Sequence, residues 1–279
     1  MLRRTLVAAF LLVLGLLAWC YSVATADPAV RRADIAMPDW PAAIPPVRLV
    51  LISDIHVQGP DMPPERLERI VAQINRLKPD LVLIAGDLIS EKRLGQRPYT
   101  MAVALKPLGG LRPRLGSIAV LGNHDHWYDA PGAVAALRTA GVTVLANDAV
   151  RIGPVAVGGL DDDFTGRADL PRTLARLRRL GGAKLLLSHS PDPFPDVPTS
   201  MSLMLAGHTH CGQISLPLIG PPKTMSKYGT RYACGLIRED GKTLVVGAGL
   251  GTSGIPLRFG TEPEMWLLTL GPARPAAAR

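Results

Sequence analysis

The chain is short of cysteine, aromatics and charge. Three Cys in 279 residues are too few for a fold organised by disulfides. Aromatic residues make up 5%, and no basic stretch is interleaved with them. RNA-recognition signatures and the spacing of C2H2 fingers are missing too, which points away from sequence-specific nucleic-acid binding. Charged residues are 19%, with no long block of one sign and no fibrous period. Disordered tails, collagen and coiled coils are thereby excluded. No H-E-x-x-H occurs, which counts against a zincin-type metallopeptidase. The 28 Gly and 26 Pro stay below the level of a low-complexity chain.

What is present suits a packed core. Apolar residues make up 47%, and the length fits one large α/β domain or two small ones. Lys and Arg (31) exceed Asp and Glu (23), a net charge of +8. That balance suits phosphates, nucleic acid or a phospholipid surface, or serves solubility alone. The densest basic run, Arg172, Arg176, Arg178 and Arg179, alternates with Leu174, Leu177 and Leu180 at helical spacing. It reads as a solvated helix face.

Arg3 and Arg4 precede an apolar run of 16 residues, Leu6 to Tyr21, which reaches spanning length if extended to Ala26. Ala24-Thr25-Ala26 also matches a signal cleavage site. Residues 1–26 are therefore an uncleaved anchor or a cleaved signal. The positive flank places that end in the cytoplasm and the domain on the non-cytoplasmic side of an inner membrane. Met37 to Pro46 carries four Pro in ten residues. Residues 27–47 thus read as a stiff linker, 48–270 as the domain and 271–279 as a frayed tail.

Short apolar runs at Arg48–Ser53, Leu81–Ala85, Ile118–Leu121, Lys184–Leu187 and Leu203–Ala206 predict buried strands. Helical spacing follows at Leu67–Leu77, Ala133–Ala140 and Leu170–Leu180. Asp240-Gly241 between Gly235–Arg238 and Thr243–Gly247 marks a hairpin, and Glu264–Leu270 a last strand. Together these predict a mixed-sheet α/β domain.

Five of the six His follow those apolar runs directly. The segments are Asp54-x-His56, Gly86-Asp87, Gly122-Asn123-His124-Asp125, Ser188-His189 and Gly207-His208-x-His210. Beyond the carboxyl ends of parallel strands lies the usual ligand edge of such sheets. Imidazole, carboxylate and amide without thiolate favour Mn, Fe or Zn in a reactive site over a structural zinc. Alternate residues leaving a strand, as in Asp54-x-His56 and His208-x-His210, can grip one ion. The ligands are too many for one ion and suit two divalent ions, with Asp87 as the bridging carboxylate. Two such ions about 4 Å apart can clamp a phosphoryl group.

The ordered set D-x-H, G-D, G-N-H-D, a lone His and G-H-x-H resembles the calcineurin-like metallophosphoesterases. The resemblance covers about residues 48–270. It implies two packed mixed β-sheets flanked by helices, a four-layer sandwich. It further implies one ion on Asp54, His56, Asp87 and His210, and a second on Asp87, Asn123, His189 and His208. His124 would meet the substrate phosphate and protonate the leaving oxygen, with Asp125 orienting it. The implied activity is hydrolysis of a phosphodiester or pyrophosphate bond, with a metal-binding protein that has lost catalysis as the rival class. Many members carry Asp or Asn shortly after G-D; here Leu88-Ile89-Ser90 follows, so that role is missing or falls to Ser90.

The longer G-H-T-H-C-G-Q, with the apolar start, is similar to membrane-associated bacterial phosphodiesterases. Some of these cleave a UDP-diacylglucosamine precursor of lipid A. That substrate needs a cytoplasmic active site, whereas the charge rule puts the domain outside. Lipid-linked nucleotide sugars, phospholipid head groups and cell-wall phosphodiesters all fit the chemistry. Beyond the ligand set, His126 reads as a loop residue or as a rim or substrate contact, and Asp161–Asp163 as a solvated loop or as a third-cation or substrate-hydroxyl site. Cys211 and Cys234 read as small buried residues, with a disulfide conditional on an oxidising compartment. Arg231 suits phosphate recognition or a surface role.

Overall fold

The apolar runs become strands buried on both faces, which is why they lack polar alternation. The computed structural model describes residues 1–41, 43–92 and 99–272. One sheet contains β1 (Ala29–Ala36), β2 (Val47–Ile52), β3 (Leu81–Ala85), β4 (Ser117–Val120), β5 (Val142–Val144) and β12 (Glu264–Gly271), ordered β1-β12-β2-β3-β4-β5. The other contains β6 (Asp148–Ile152), β7 (Val155–Gly159), β8 (Ala183–Leu187), β9 (Leu203–Ala206), β10 (Gly235–Glu239) and β11 (Lys242–Val246), ordered β10-β11-β9-β8-β7-β6. Within the sheets, β2 to β5 run parallel, as do β7, β8, β9 and β11. β12 runs antiparallel to β2, and β6 and β10 are antiparallel edges.

Alternate side chains of each strand sort to two cores. Leu49, Leu51, Leu83, Leu185, Leu205 and Leu268 join the core between the sheets. Val50, Ile52, Val82 and Ile84 face the outer helices α2 (Pro64–Arg76), α3 (Met101–Leu105) and α5 (Ala130–Thr139). On the far side α6 (Leu170–Arg178) lays Leu174 and Leu177 against Leu186, Met204 and Leu244. Four layers result, helix, sheet, sheet, helix, as the resemblance implied. In α2, Pro64 opens the first turn and Leu67, Ile70, Val71 and Ile74 form the buried face. Asp240 and Gly241 both take positive φ, 51° and 73°, as a tight hairpin turn requires. The basic run on α6 is exposed, as read.

The reading of 27–47 as a linker needs correction. Ala29–Ala36 pairs in parallel with β12 along its whole length. Ile35, Met37 and Trp40 are buried against the inter-sheet core. The polar pattern Arg31-Arg32-Ala33-Asp34 hid this edge strand, whose pairing partner lies more than 200 residues away in sequence. Of the expected tail, Gly271 closes β12, and 273–279 lie outside the described residues.

The apolar start forms one 24-residue helix, α1 (Leu2–Thr25), with mean hydropathy 2.4 over its best window. It is long and apolar enough to cross a membrane. Its shaft is exposed, and only Cys20 and Ala24 are buried, at its foot. The foot is fixed to the domain. Arg258 N–H donates to Cys20 O at 3.1 Å, Arg66 to Ala26 O at 2.8 Å and the Tyr21 hydroxyl to Pro60 O at 3.3 Å.

Leu185 sits on the central strand β8, fully enclosed between the sheets. Leu185→Ala is expected to cost about 2–5 kcal/mol, read as a lower denaturation midpoint of the full chain in detergent. A loss below about 1 kcal/mol would mean that the two sheets are not packed through this residue.

Candidate metal centre

The loops leaving β2, β3, β4, β8 and β9 converge at one edge shared by both sheets, and each carries ligand-type side chains. All seven expected ligands, Asp54, His56, Asp87, Asn123, His189, His208 and His210, are buried there. The backbone bends sharply to aim them. Asp54, His56, Asp87, His208 and His210 all have positive φ, between 48° and 70°. Non-glycine residues rarely adopt this region, at roughly 1–3 kcal/mol each, and such strain clusters at functional sites. Two glycines make room. A Cβ on Gly86, at φ +76°, would meet the Gly122 nitrogen at 2.6 Å, and one on Gly207 would meet Asp54 Oδ2 at 2.5 Å.

The donors gather about two points. At the first, His56 Nε2 lies 3.0 Å from His210 Nε2 and 3.6 Å from Asp87 Oδ2, and His210 Nε2 lies 3.5 Å from Asp54 Oδ1. At the second, His189 Nε2 lies 3.3 Å from Asp87 Oδ2, 3.1 Å from Asn123 Oδ1 and 3.1 Å from His208 Nδ1. Ligands about 2.1 Å from one ion lie roughly 3.0–3.4 Å apart, close to the spacings found. Asp87 Oδ2 faces both groups, the position of a bridge.

Outer contacts set the tautomers. His56 Nδ1 donates to Ile89 O at 3.2 Å and His189 Nδ1 to Ala85 O at 2.7 Å, which leaves each Nε2 as the donor to a cation. His208 N–H donates to both Asp54 oxygens at 3.0 Å, and His124 N–H to Asp87 Oδ1 at 2.9 Å. The residues thus fit two divalent ions in donor type, in spacing and in the hydrogen bonds that hold the donors.

Charge is distributed to match. Burial lowers His56, His208 and His210, His208 to about 3, so these rings are neutral and ready to ligate. Burial opposes ionisation of Asp87, but the charge and hydrogen bond of His189 beside it prevail and hold it well below the carboxylate range. Burial likewise works against a charged His189, and the adjacent Asp87 overrides it, lifting the ring well above its usual value. Burial raises Asp54 to about 7.

His124 stands beside the ligands, its ring 4.9 Å from that of His56, and its buried Nδ1 has no hydrogen-bond partner among the described residues. Asp125 departs from expectation. Its carboxylate does not hold the His124 ring. One oxygen accepts from Leu88 N–H at 2.8 Å and the other from Gly122 N–H at 2.9 Å. Fully buried, it ties the Asp87 loop to the Asn123 loop. Ser90, the stand-in for the missing acidic residue, is buried, and its hydroxyl has no hydrogen-bond partner among the described residues.

A cleft of about 400 Å³ opens over the ligands, walled by Trp127, Ile214, Pro222, Lys223 and Met225. Trp127 stacks edgewise on His124 at 5.0 Å, and Phe164 lies 4.8 Å from His208. Of the residues left open, His126 Nε2 pairs with Asp161 Oδ1 at 2.8 Å, which staples two rim loops. Asp162 is buried and caps Thr165 N–H. Arg231 pairs with Glu239 at 2.8 Å on the surface, away from the phosphate role considered. Cys211 and Cys234, read mainly as separate buried residues, form a disulfide. Sequence reasoning missed Arg258, which is fully buried and donates to the carbonyls of Ala248, Gly249 and Gly251. Gly251 N–H in turn donates to Asp54 O at 2.8 Å, so Arg258 braces a ligand of the first point. An Arg between apolar loops gives no local signal of such a role.

Comparison with known proteins agrees with the motifs. The family model described as calcineurin-like phosphoesterase matches residues 47–212. The chain is 34% identical over 233 residues to "Uncharacterized metallophosphoesterase YkuE" of Bacillus subtilis, covering 80% of this chain and 78% of that protein. It is 32% identical over 270 residues to a "Transmembrane protein with metallophosphoesterase domain" of Danio rerio, covering 88% of this chain. The chain spans 58% of the length of that relative. A 5'-nucleotidase precursor structure from Thermus thermophilus aligns with TM-score 0.48 at 15% identity, over 80% of this chain and 55% of that one.

Metal loading must expel the His189 proton and the share held by Asp54 at neutral pH. Protons therefore compete with the ions, and affinity for Mn or Zn is expected to rise from pH 6 to pH 8. Titration calorimetry of the chelator-stripped protein, in buffers of different ionisation enthalpy, reads the released protons. A flat affinity across that range would show that neither group is protonated.

Proposed function

The chain belongs to the calcineurin-like phosphoesterases and is a metal-dependent phosphoester hydrolase, and on that premise we propose that it cleaves a phosphodiester or pyrophosphate bond held close to a bilayer. The observation that carries this reading is the meeting of two cation points under an open cleft on the edge where α1 is fixed.

Asp54, His56, Asp87 and His210 would hold one ion, and Asp87, Asn123, His189 and His208 the other. Two ions there would supply Lewis-acid polarisation of the phosphoryl group and a water of lowered pKa. The chain's own groups do the rest. His124 lines the cleft, where its ring would deliver a proton to the leaving oxygen. Asp87 Oδ1 holds the backbone beneath His124, so one carboxylate sets both the ions and the acid. Asp125 acts behind them as a positioning residue. The walls at Trp127 and Met225 leave space beyond a bare phosphate, which suits a substrate esterified on both sides.

Two observations favour a domain on the non-cytoplasmic side. Arg3 and Arg4 sit in the first turn of α1, at the end away from the domain, and the Cys211–Cys234 disulfide suits an oxidising compartment. Both speak against a UDP-linked lipid A precursor, which requires a cytoplasmic site. They leave phospholipid head groups and cell-wall phosphodiesters as the substrate classes supported best.

The full chain in detergent, stripped and reloaded with Mn, Fe or Zn, is expected to hydrolyse bis-p-nitrophenyl phosphate faster than the monoester. Asp87→Asn should lower that turnover by about a thousandfold. Wild-type turnover in Asp87→Asn would defeat the bridged two-ion arrangement. Turnover confined to the monoester would defeat the diester reading.

His124→Ala separates acid from ligand. It is expected to lower kcat by about a hundredfold or more while both ions remain bound, read by metal analysis of the same sample. Loss of an ion instead would make His124 a ligand.

A further inference from the structure

The loop after His210 carries large apolar side chains that the metal chemistry does not use. Leu216 and Gly220 exchange backbone hydrogen bonds at 2.8 and 3.0 Å and close a tight turn. Its tip holds Leu218, 108% exposed at φ +64°, and Ile219, 77% exposed. A fully exposed leucine in the left-handed region is doubly unfavourable in water. Pro217 and Pro221 stiffen the turn, and Lys223 stands exposed three residues after it.

This turn is continuous with the foot of α1. Trp19, near the end of α1, packs edge-on against Phe259 at 5.6 Å. Phe259 O accepts from Ser215 N–H at 2.7 Å, one residue before the turn. Arg258, the neighbour of Phe259, binds the α1 backbone and the loop after β11. The helix foot, the apolar tip and the cleft therefore share one edge of the sheets, and Ile214 at the base of the turn lines the cleft itself.

We propose that the Leu216–Gly220 turn is a membrane wedge that seats in the interface of an anionic bilayer beside α1 and sets the metal cleft at the head-group plane. The occupant of this surface is lipid. The apolar tip fits the acyl boundary, the adjacent Lys223 fits anionic head groups, and α1 supplies the second attachment that stable peripheral binding requires. The wedge deepens the reading of a bilayer-held substrate and rests on it for its purpose.

The test uses the full chain in nanodiscs of phosphatidylglycerol and phosphatidylcholine. Leu218→Cys in a Cys20→Ala background carries an environment-sensitive fluorophore, with the native disulfide intact. Arg114→Cys, on the loop entering β4 at the opposite edge, is the reference. The Leu218 probe is expected to shift to the blue and to show about twice the quenching of the reference by nitroxide lipids. Leu218→Asp with Ile219→Asp, probed at Leu216→Cys, should abolish that quenching without loss of bound metal. Quenching equal to the reference overturns the wedge. A blue shift without lipid quenching, growing with protein concentration, overturns it in favour of a second copy of the chain. Cleavage of the soluble diester by the same sample reads the catalytic proposal separately. Quenching without cleavage retains the wedge and removes the diesterase, and cleavage without quenching does the reverse.

Discussion

The Asp87 carboxylate is the joint of the molecule. One oxygen accepts the His124 amide and the other faces His56 and His189 together. It can do so only because its backbone takes a left-handed turn at the end of a strand buried on both faces. The glycine before it admits the loop after β4, so the Asn123 and His124 segment arrives at contact distance. Asp125 then accepts the amide N–H of Leu88, the residue after Asp87. The loops after β3 and β4 are thereby locked to one another, and every donor on the other sheet is measured against that pair.

That lock is electrostatic as well as steric. The low dielectric between the sheets would neutralise isolated ionisable groups. Here Asp87 stays ionised because the charged His189 ring beside it outweighs burial, while His56, His208 and His210 stay neutral because burial strips their protons. The pattern is one of opposed protonation states within a few ångströms, typical of sites built for chemistry rather than for stability.

Much of the centre was legible because its chemistry interrupts the pattern of the core. Asp54, Asp87, Asn123, His189 and His208 each follow a run of apolar residues, and a polar ligand at the end of a buried strand stands out. Strand positions were legible for the same reason, and Leu81–Ala85 and Leu203–Ala206 end where expected. What escaped depends on partners distant in sequence. β1 is a strand because β12 is there to pair with it, and Asp125 turns from His124 because two backbone amides claim it first. Arg258, the disulfide and the foot of α1 are likewise decided by what the fold brings beside them.

The junction of α1 with the domain has no slack. Its last turn is bonded to Arg258, Arg66 and Pro60, and the chain passes within a few residues into a strand of the sheet. If α1 spans a bilayer, such a joint transmits the orientation of the helix to the cleft as a lever would, where a flexible tether would let the domain tumble. Encounter then ceases to be a search through volume. For the bilayer-held substrate proposed above, substrate and enzyme would meet by lateral diffusion in two dimensions, and the rate would follow the mole fraction of substrate in the membrane rather than its concentration in solution.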